Sequence, residues 1–141
     1  AAWAAQSGHL EVLQWARAND CPCGVWTCIS AAQGGQLEVL QWLRANGCPW
    51  DEETCSTAAR GGQLEVLQWL RANGCPWDEK TCARAVDIRH LEMLKWARAN
   101  GAPWDKADIM REAEESLDEK DEILQWLRAT FKREGERQVA S

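Results

Sequence analysis

The residues best suited to chemistry crowd near the start of the chain. Cys21, Cys23 and Cys28 lie close together, and Cys21-Pro22-Cys23 sets two thiols two positions apart. Thiolates so spaced are zinc ligands when the set is complete. A closed site needs four ligands, and neither a histidine nor a second cysteine pair stands nearby to complete one. The two histidines, His9 and His90, are far apart, and no Ser-His-Asp set accompanies them. The acidic run Asp118-Glu119-Lys120-Asp121-Glu122 could attract a cation, but such runs are ordinarily solvated faces. No glycine-rich phosphate loop or catalytic carboxylate pair is present. These residues point away from catalysis, and no metal or cofactor is expected.

Composition narrows the classes further. A net charge of −6 gives no general attraction to phosphate backbones, so nucleic acid is not an expected partner. The apolar runs are too short to cross a bilayer, and no charged-then-apolar leader opens the chain. Among 141 residues there are ten Trp, one Phe and no Tyr. That imbalance has a simple origin, because eight of the ten Trp occupy two positions of a repeat.

The repeat is explicit. Leu10-Glu11-Val12-Leu13-Gln14-Trp15 returns as Leu37-Glu38-Val39-Leu40-Gln41-Trp42, as Leu64-Glu65-Val66-Leu67-Gln68-Trp69 and as Leu91-Glu92-Met93-Leu94-Lys95-Trp96, each time 27 residues on. A period of this size marks one supersecondary unit stacked on copies of itself. Residues 1–20 form a partial unit, 21–47, 48–74 and 75–101 full units, and 102–131 a C-terminal cap whose charge suits an outer face. Residues 132–141 lack apolar periodicity and are expected to fray. Ala1 falls in mid-unit, which implies a piece of a longer array.

Within the unit 48–74, Asp51 is placed to cap a helix over 52–60, with Glu52 and Glu53 at its positive end. Trp50 and Cys55 have the spacing of a hydrophobic staple. Cys55, Ala58 and Ala59 share one face, small enough for close helix approach. Gly61-Gly62 ends this helix A, and helix B follows over 64–73. Its apolar band is wide enough to lie between two neighbours, with Glu65, Gln68 and Arg71 on the wet edge. Gly74 and Pro76 end it in Schellman fashion. In the fourth unit Ile88-Arg89 replaces the glycine pair, and a distorted turn is expected. Trp15, Trp42, Trp69, Trp96 and Trp126 should form a buried ladder, with Trp69→Ala costing about 3–5 kcal/mol. The expected architecture is all-α, a helical-hairpin solenoid.

The period also reinterprets the reactive residues. Cys21, Cys48 and Cys75 share one position, and Cys28, Cys55 and Cys82 another; only Cys23 is extra, standing where Trp50 stands. Stacked helices lie about 8–10 Å apart, beyond the ~7 Å Cα reach of a disulfide, so equivalent cysteines should not pair. The six repeat cysteines are expected to be small buried packers, which fits a reducing, cytoplasmic setting. His9 and His90 share a position with Gln36 and Gln63 and are expected to bond across the stack.

Thr54-Cys55-Ser56-Thr57-Ala58-Ala59-Arg60-Gly61-Gly62-Gln63-Leu64-Glu65-Val66-Leu67 resembles the ankyrin-repeat core, T-P-L-H-x-A-A-x-x-G-H-L-E-V-V. Gly8-His9-Leu10-Glu11-Val12 is similar to the same motif, and Asn73-Gly74-Cys75 resembles its helix-B ending. The ankyrin period is ~33 residues; here the hairpin loop is cut to Cys75-Pro76-Trp77-Asp78-Glu79-Lys80. A leucine-rich repeat would need a strand with alternating faces, which Val66 and Leu70 deny. The resemblance implies a stack whose A helices line a concave side and bind proteins.

Comparison between units singles out one stripe of helix A that varies while the core repeats. It comprises Glu53, Thr57 and Arg60; Trp26, Ser30 and Gln33; Lys80, Arg84 and Asp87; and Trp3 and Gln6. These eleven residues are the candidate partner-binding surface, with an aromatic end at Trp3 and Trp26. The expected function is a non-catalytic protein–protein interaction module that binds a protein partner as a monomer. An alternative is the substrate-targeting arm of a larger enzyme or ligase adaptor whose catalytic part lies outside these residues.

Overall fold

The computed structural model describes residues 2–140, and side chains over 3–135. Among these the chain forms ten α-helices and no strand: α1 Ala2–Ser7, α2 Leu10–Ala18, α3 Val25–Gln33, α4 Leu37–Ala45, α5 Glu52–Arg60, α6 Leu64–Ala72, α7 Glu79–Asp87, α8 Leu91–Ala99, α9 Lys106–Ser116 and α10 Glu122–Ala140. Odd-numbered helices are the A helices of the sequence repeat, and even-numbered ones the B helices.

The helix starts follow local chemistry. Asp51 Oδ1 accepts from the backbone N–H of Glu53 at 3.0 Å, and Thr54 Oγ1 accepts from the backbone N–H of Asp51 at 3.3 Å, completing a capping box. Asp78 and Asp105 also cap their helices, Asp78 Oδ1 accepting from the Lys80 N–H at 3.0 Å on α7 and Asp105 Oδ1 from the Asp108 N–H at 3.1 Å on α9. Helix α3 has no such cap, because Gly24 stands in the aspartate position.

The helix ends repeat just as closely. At the end of α6, Cys75 N–H donates to the Leu70 carbonyl at 2.9 Å and Gly74 N–H to the Arg71 carbonyl at 3.2 Å, the paired bonds of a Schellman ending. The turn expected to be distorted keeps this geometry. His90 N–H reaches the Ala85 carbonyl at 2.9 Å and Arg89 N–H the Val86 carbonyl at 3.0 Å. Arg89 enters the left-handed region at φ 58° to do so, where Gly62 sits at φ 71°. The hydrogen bonds and packing of the two helices outweigh the roughly 1 kcal/mol that a side chain costs there.

Each A helix packs on its neighbours in a row: α3 against α1 and α5, α5 against α3 and α7, and α7 against α9. Each also packs on the B helix that follows it. Small side chains permit the approach, since Cys55, Ala58 and Ala59 are fully buried in α5, as are Ala31 and Ala32 in α3. The turns come closer still. A Cβ at Gly34 would collide with the backbone carbonyl of Gln6. Gln36 Nε2 donates to that same carbonyl at 3.2 Å, so at Gln36 the expected bond between units forms, whereas His9 stacks on Trp3 with ring centroids 5.0 Å apart. His90 departs from the expectation, because its Nδ1 accepts from the Met93 N–H at 3.2 Å and caps its own helix. Leu40, Leu43, Leu67, Leu70 and Leu94 are fully buried in the one core cluster, each contributing about 1.5–3 kcal/mol by burial.

Tryptophan packing corrects the ladder. Trp15 is 65% exposed, and Trp42, Trp69, Trp96 and Trp126 are half-buried. The ring contacts lie within a unit. Trp50 meets Trp69 edge-on at 5.9 Å, Trp77 meets Trp96 at 5.8 Å, and Trp104 meets Trp126 at 6.2 Å. An arginine closes each pair from the unit before: Arg44 lies 3.9 Å from the Trp50 ring, Arg71 4.3 Å from Trp77 and Arg98 4.0 Å from Trp104. The same guanidinium groups donate to the carbonyls of Cys48, Cys75 and Ala102 at 2.7, 2.6 and 2.5 Å. Arg71 is therefore not simply a wet-edge residue. It ties one unit to the next through a cation–π contact and a charge-assisted hydrogen bond.

The cysteines also depart from expectation. Cys23 and Cys48 form a disulfide with Cα atoms 5.7 Å apart. They occupy different repeat positions, so the distance argument against equivalent pairs does not reach them. Cys21 is exposed, whereas Cys28, Cys55, Cys75 and Cys82 are buried thiols. Burial pushes Cys28 up to about 11 and Cys82 up to about 12, which leaves both inert as nucleophiles at neutral pH. Four of the six repeat cysteines are thus the packers expected. The argument from them to a reducing setting loses Cys21 and Cys48.

The segment expected to fray is helical, since α10 continues to Ala140. Phe131 packs on Trp104 at 5.0 Å, and Glu134 pairs with Arg98 at 3.8 Å and with Lys106 at 2.5 Å. These contacts fasten the first half of the segment in place of apolar periodicity. Ala1 and Ser141, the ends of the expected partial unit and tail, lie outside the described residues. Among the described residues, no helix is long and apolar enough to cross a membrane.

Candidate docking surface

The varying stripe is carried by α1, α3, α5 and α7, the row of mutually packed A helices. Trp3, Gln6, Trp26, Gln33, Glu53, Arg60, Lys80 and Asp87 are exposed, and Ser30 and Arg84 half-buried. Trp3 and Trp26 are each 67% exposed. That is a high value for the largest side chain, which ordinarily hides most of its apolar surface.

Thr57 breaks the pattern. It is 4% exposed, so its hydroxyl is not offered to a partner. Ser30 and Arg84, one unit before and after, share its position and are half-buried. This middle position of the stripe turns toward the flanking A helices, and only the outer two positions stay open. Trp3 escapes that burial because, among the described residues, α1 has an A-helix neighbour on one side only.

Charge is unevenly spread along the row. Trp3, Gln6, Trp26, Ser30 and Gln33 carry none, whereas Glu53, Arg60, Lys80, Arg84 and Asp87 all do. Arg84 and Asp87 pair at 3.2 Å on α7. Beyond them an open groove of about 400 Å³ separates α7 from α9, with Lys80 and Glu79 on one side and Asp108, Arg111 and Glu112 on the other. The Glu112 carboxyl is pushed up to about 7, first by its hydrogen bond to Asp87, then by burial and the Asp87 charge, with Arg84 and Arg111 opposing. Glu112 therefore keeps its proton to a higher pH than an ordinary carboxyl does.

Helix α9 lies beyond the stripe expected from the sequence, which ends at Asp87. One more step of 27 from Arg84 leads to Arg111, an exposed residue of the groove. The step was legible, but the three extra residues before Trp126 blurred it. Asp108 and Glu112 carry no repeat signal at all.

No protein-family model matches the chain, and no curated protein matches it.

Proposed function

We propose that this chain is a non-catalytic docking module, an ankyrin-like solenoid of helical hairpins that binds a protein partner along the concave row of its A helices. The observation that carries the reading is the exposure of Trp26 at a position that the next two units give to Glu53 and Lys80. Core residues repeat faithfully around it, while the open positions of the row diverge in size and charge. A surface held constant in shape but varied in chemistry is what selective recognition requires. Exposed indoles make efficient anchors, because they bury much apolar area with few rotamers to freeze. The partner expected at the α1–α3 end is apolar or aromatic. Toward α7 and α9 it carries charge of both signs.

The test is an alanine scan against a partner captured with the natural chain. Trp26→Ala is expected to weaken binding at least tenfold, about 1.4 kcal/mol or more. Gln68→Ala, at an exposed B-helix position, is expected to leave it unchanged. Unchanged affinity for Trp26→Ala together with a loss for Gln68→Ala would move the site to the other helix row.

A further inference from the structure

Three of the four connections between successive units are closed in one way. An arginine from the preceding B helix stacks on the connection's tryptophan, and that tryptophan packs on the following B-helix indole: Arg44, Trp50 and Trp69; Arg71, Trp77 and Trp96; Arg98, Trp104 and Trp126. The first connection has the arginine, Arg17, and the B-helix indole, Trp42, but Cys23 occupies the place of the central tryptophan. Arg17 still donates to the Cys21 carbonyl, at 3.3 Å, yet remains exposed, and among the described residues no ring is recorded beneath it. At this one connection a covalent bond appears, Cys23 to Cys48, spanning 25 residues and tying the first connection to the second. Here too α3 lacks the aspartate cap that α5, α7 and α9 possess. The junction has therefore lost two noncovalent ties and gained one covalent one.

We infer that Cys23–Cys48 is a redox latch that replaces the Arg–Trp–Trp clamp, so that reduction loosens the first connection, between α2 and α3, together with the second, which carries Cys48, and leaves the junctions beyond α6 untouched. The chemistry is thiol–disulfide exchange with a dithiol reductant. One reductant thiolate attacks a sulfur of the bond and expels the other as thiolate. The second reductant thiol then displaces the mixed disulfide and closes the oxidised reagent. Two electrons pass to the protein, and the two freed sulfurs take up two protons. Trp26 lies three residues beyond Cys23, so a loosened connection frees the aromatic end of the A-helix row. That consequence for docking rests on the function proposed above; the latch itself does not, and every measurement below is made without a partner.

The experiment combines thiol titration of the denatured chain with amide hydrogen exchange of the folded chain, before and after dithiothreitol. Titration should find five thiols before reduction and seven after, as the five free cysteines require. Exchange in α2 and α3 should quicken about tenfold on reduction, while α6 and α8 change less than about twofold. Cys23→Ser should match the reduced chain and ignore dithiothreitol, and Cys21→Ser should respond like the natural chain. Cys23→Trp supplies the missing indole between Arg17 and Trp42 and should hold the junction in either redox state. Seven thiols before reduction, equal exchange in both states, or a Cys23→Trp junction looser than the reduced natural one would each overturn the inference.

Discussion

Trp69 shows how much a repeat can and cannot say about one residue. Its place on an apolar helix face was readable, but the same pattern implied full burial, and the indole is half-buried against Trp50. Trp69→Ala should therefore cost about 1–3 kcal/mol in a urea titration, below the range for an emptied core site. The arginine over each connection's tryptophan was harder to see. Its six-residue spacing runs from the last turn of a helix into the connection beyond it, so no reading of a single element's face finds it. Glu112 was invisible, since its partner Asp87 comes from another unit. Its folded-state carboxyl, raised to about 7 from an ordinary 4.5, stays protonated where the unfolded chain has already ionised. That contribution is fully present below the ordinary value and is lost as pH rises toward 7. The natural chain should therefore lose stability relative to Glu112→Gln between pH 5 and 8. The difference should stay below about 1 kcal/mol, because solvent screens a half-exposed carboxyl. A flat difference in urea midpoint across that range would rule out the raised Glu112 carboxyl.

Elements were the most legible scale. Helix α5 occupies the residues that Asp51 and Gly61-Gly62 delimit, and α6 ends within a residue of its expected limit. Caps and glycine turns act over four or five residues, which is why a single sequence can place them. The fourth turn keeps its geometry without glycine, so composition alone does not fix its conformation. Arg89 adopts the left-handed geometry that its hydrogen bonds demand and bears the strain. Arg89→Gly should raise stability by about 0.5–1 kcal/mol, as relief of that strain exceeds the added freedom of the unfolded chain. Thermal denaturation checks it, and a lower midpoint would mean that the arginine side chain contributes more than its backbone costs. Helix α10 runs past its expected limit, where ion pairs and one phenylalanine, rather than a periodic apolar face, hold residues beyond Trp126.

The whole molecule inherits its regularity from the 27-residue step. That step established helical pairs and their order, and the packing of each A helix on the next agrees with it. It could not reveal the disulfide, which joins two positions that the repeat treats as unlike. Removing residues 48–74 would join Gly47 to Cys75 through a junction like the natural Gly74–Cys75 one. Because each A helix packs chiefly on its immediate neighbours, the shortened chain should stay helical and unfold at lower urea. Loss of helical circular dichroism would show instead that the units depend on distant ones. The uneven wetting of the indoles has an optical consequence. Trp3, Trp15 and Trp26 stand in solvent while the paired rings sit half-sheltered, so the emission spectrum is a sum of a red component and a bluer one. Whatever settles over the first two A helices would quench or blue-shift only the red part, and the protein would announce its own occupancy without a dye.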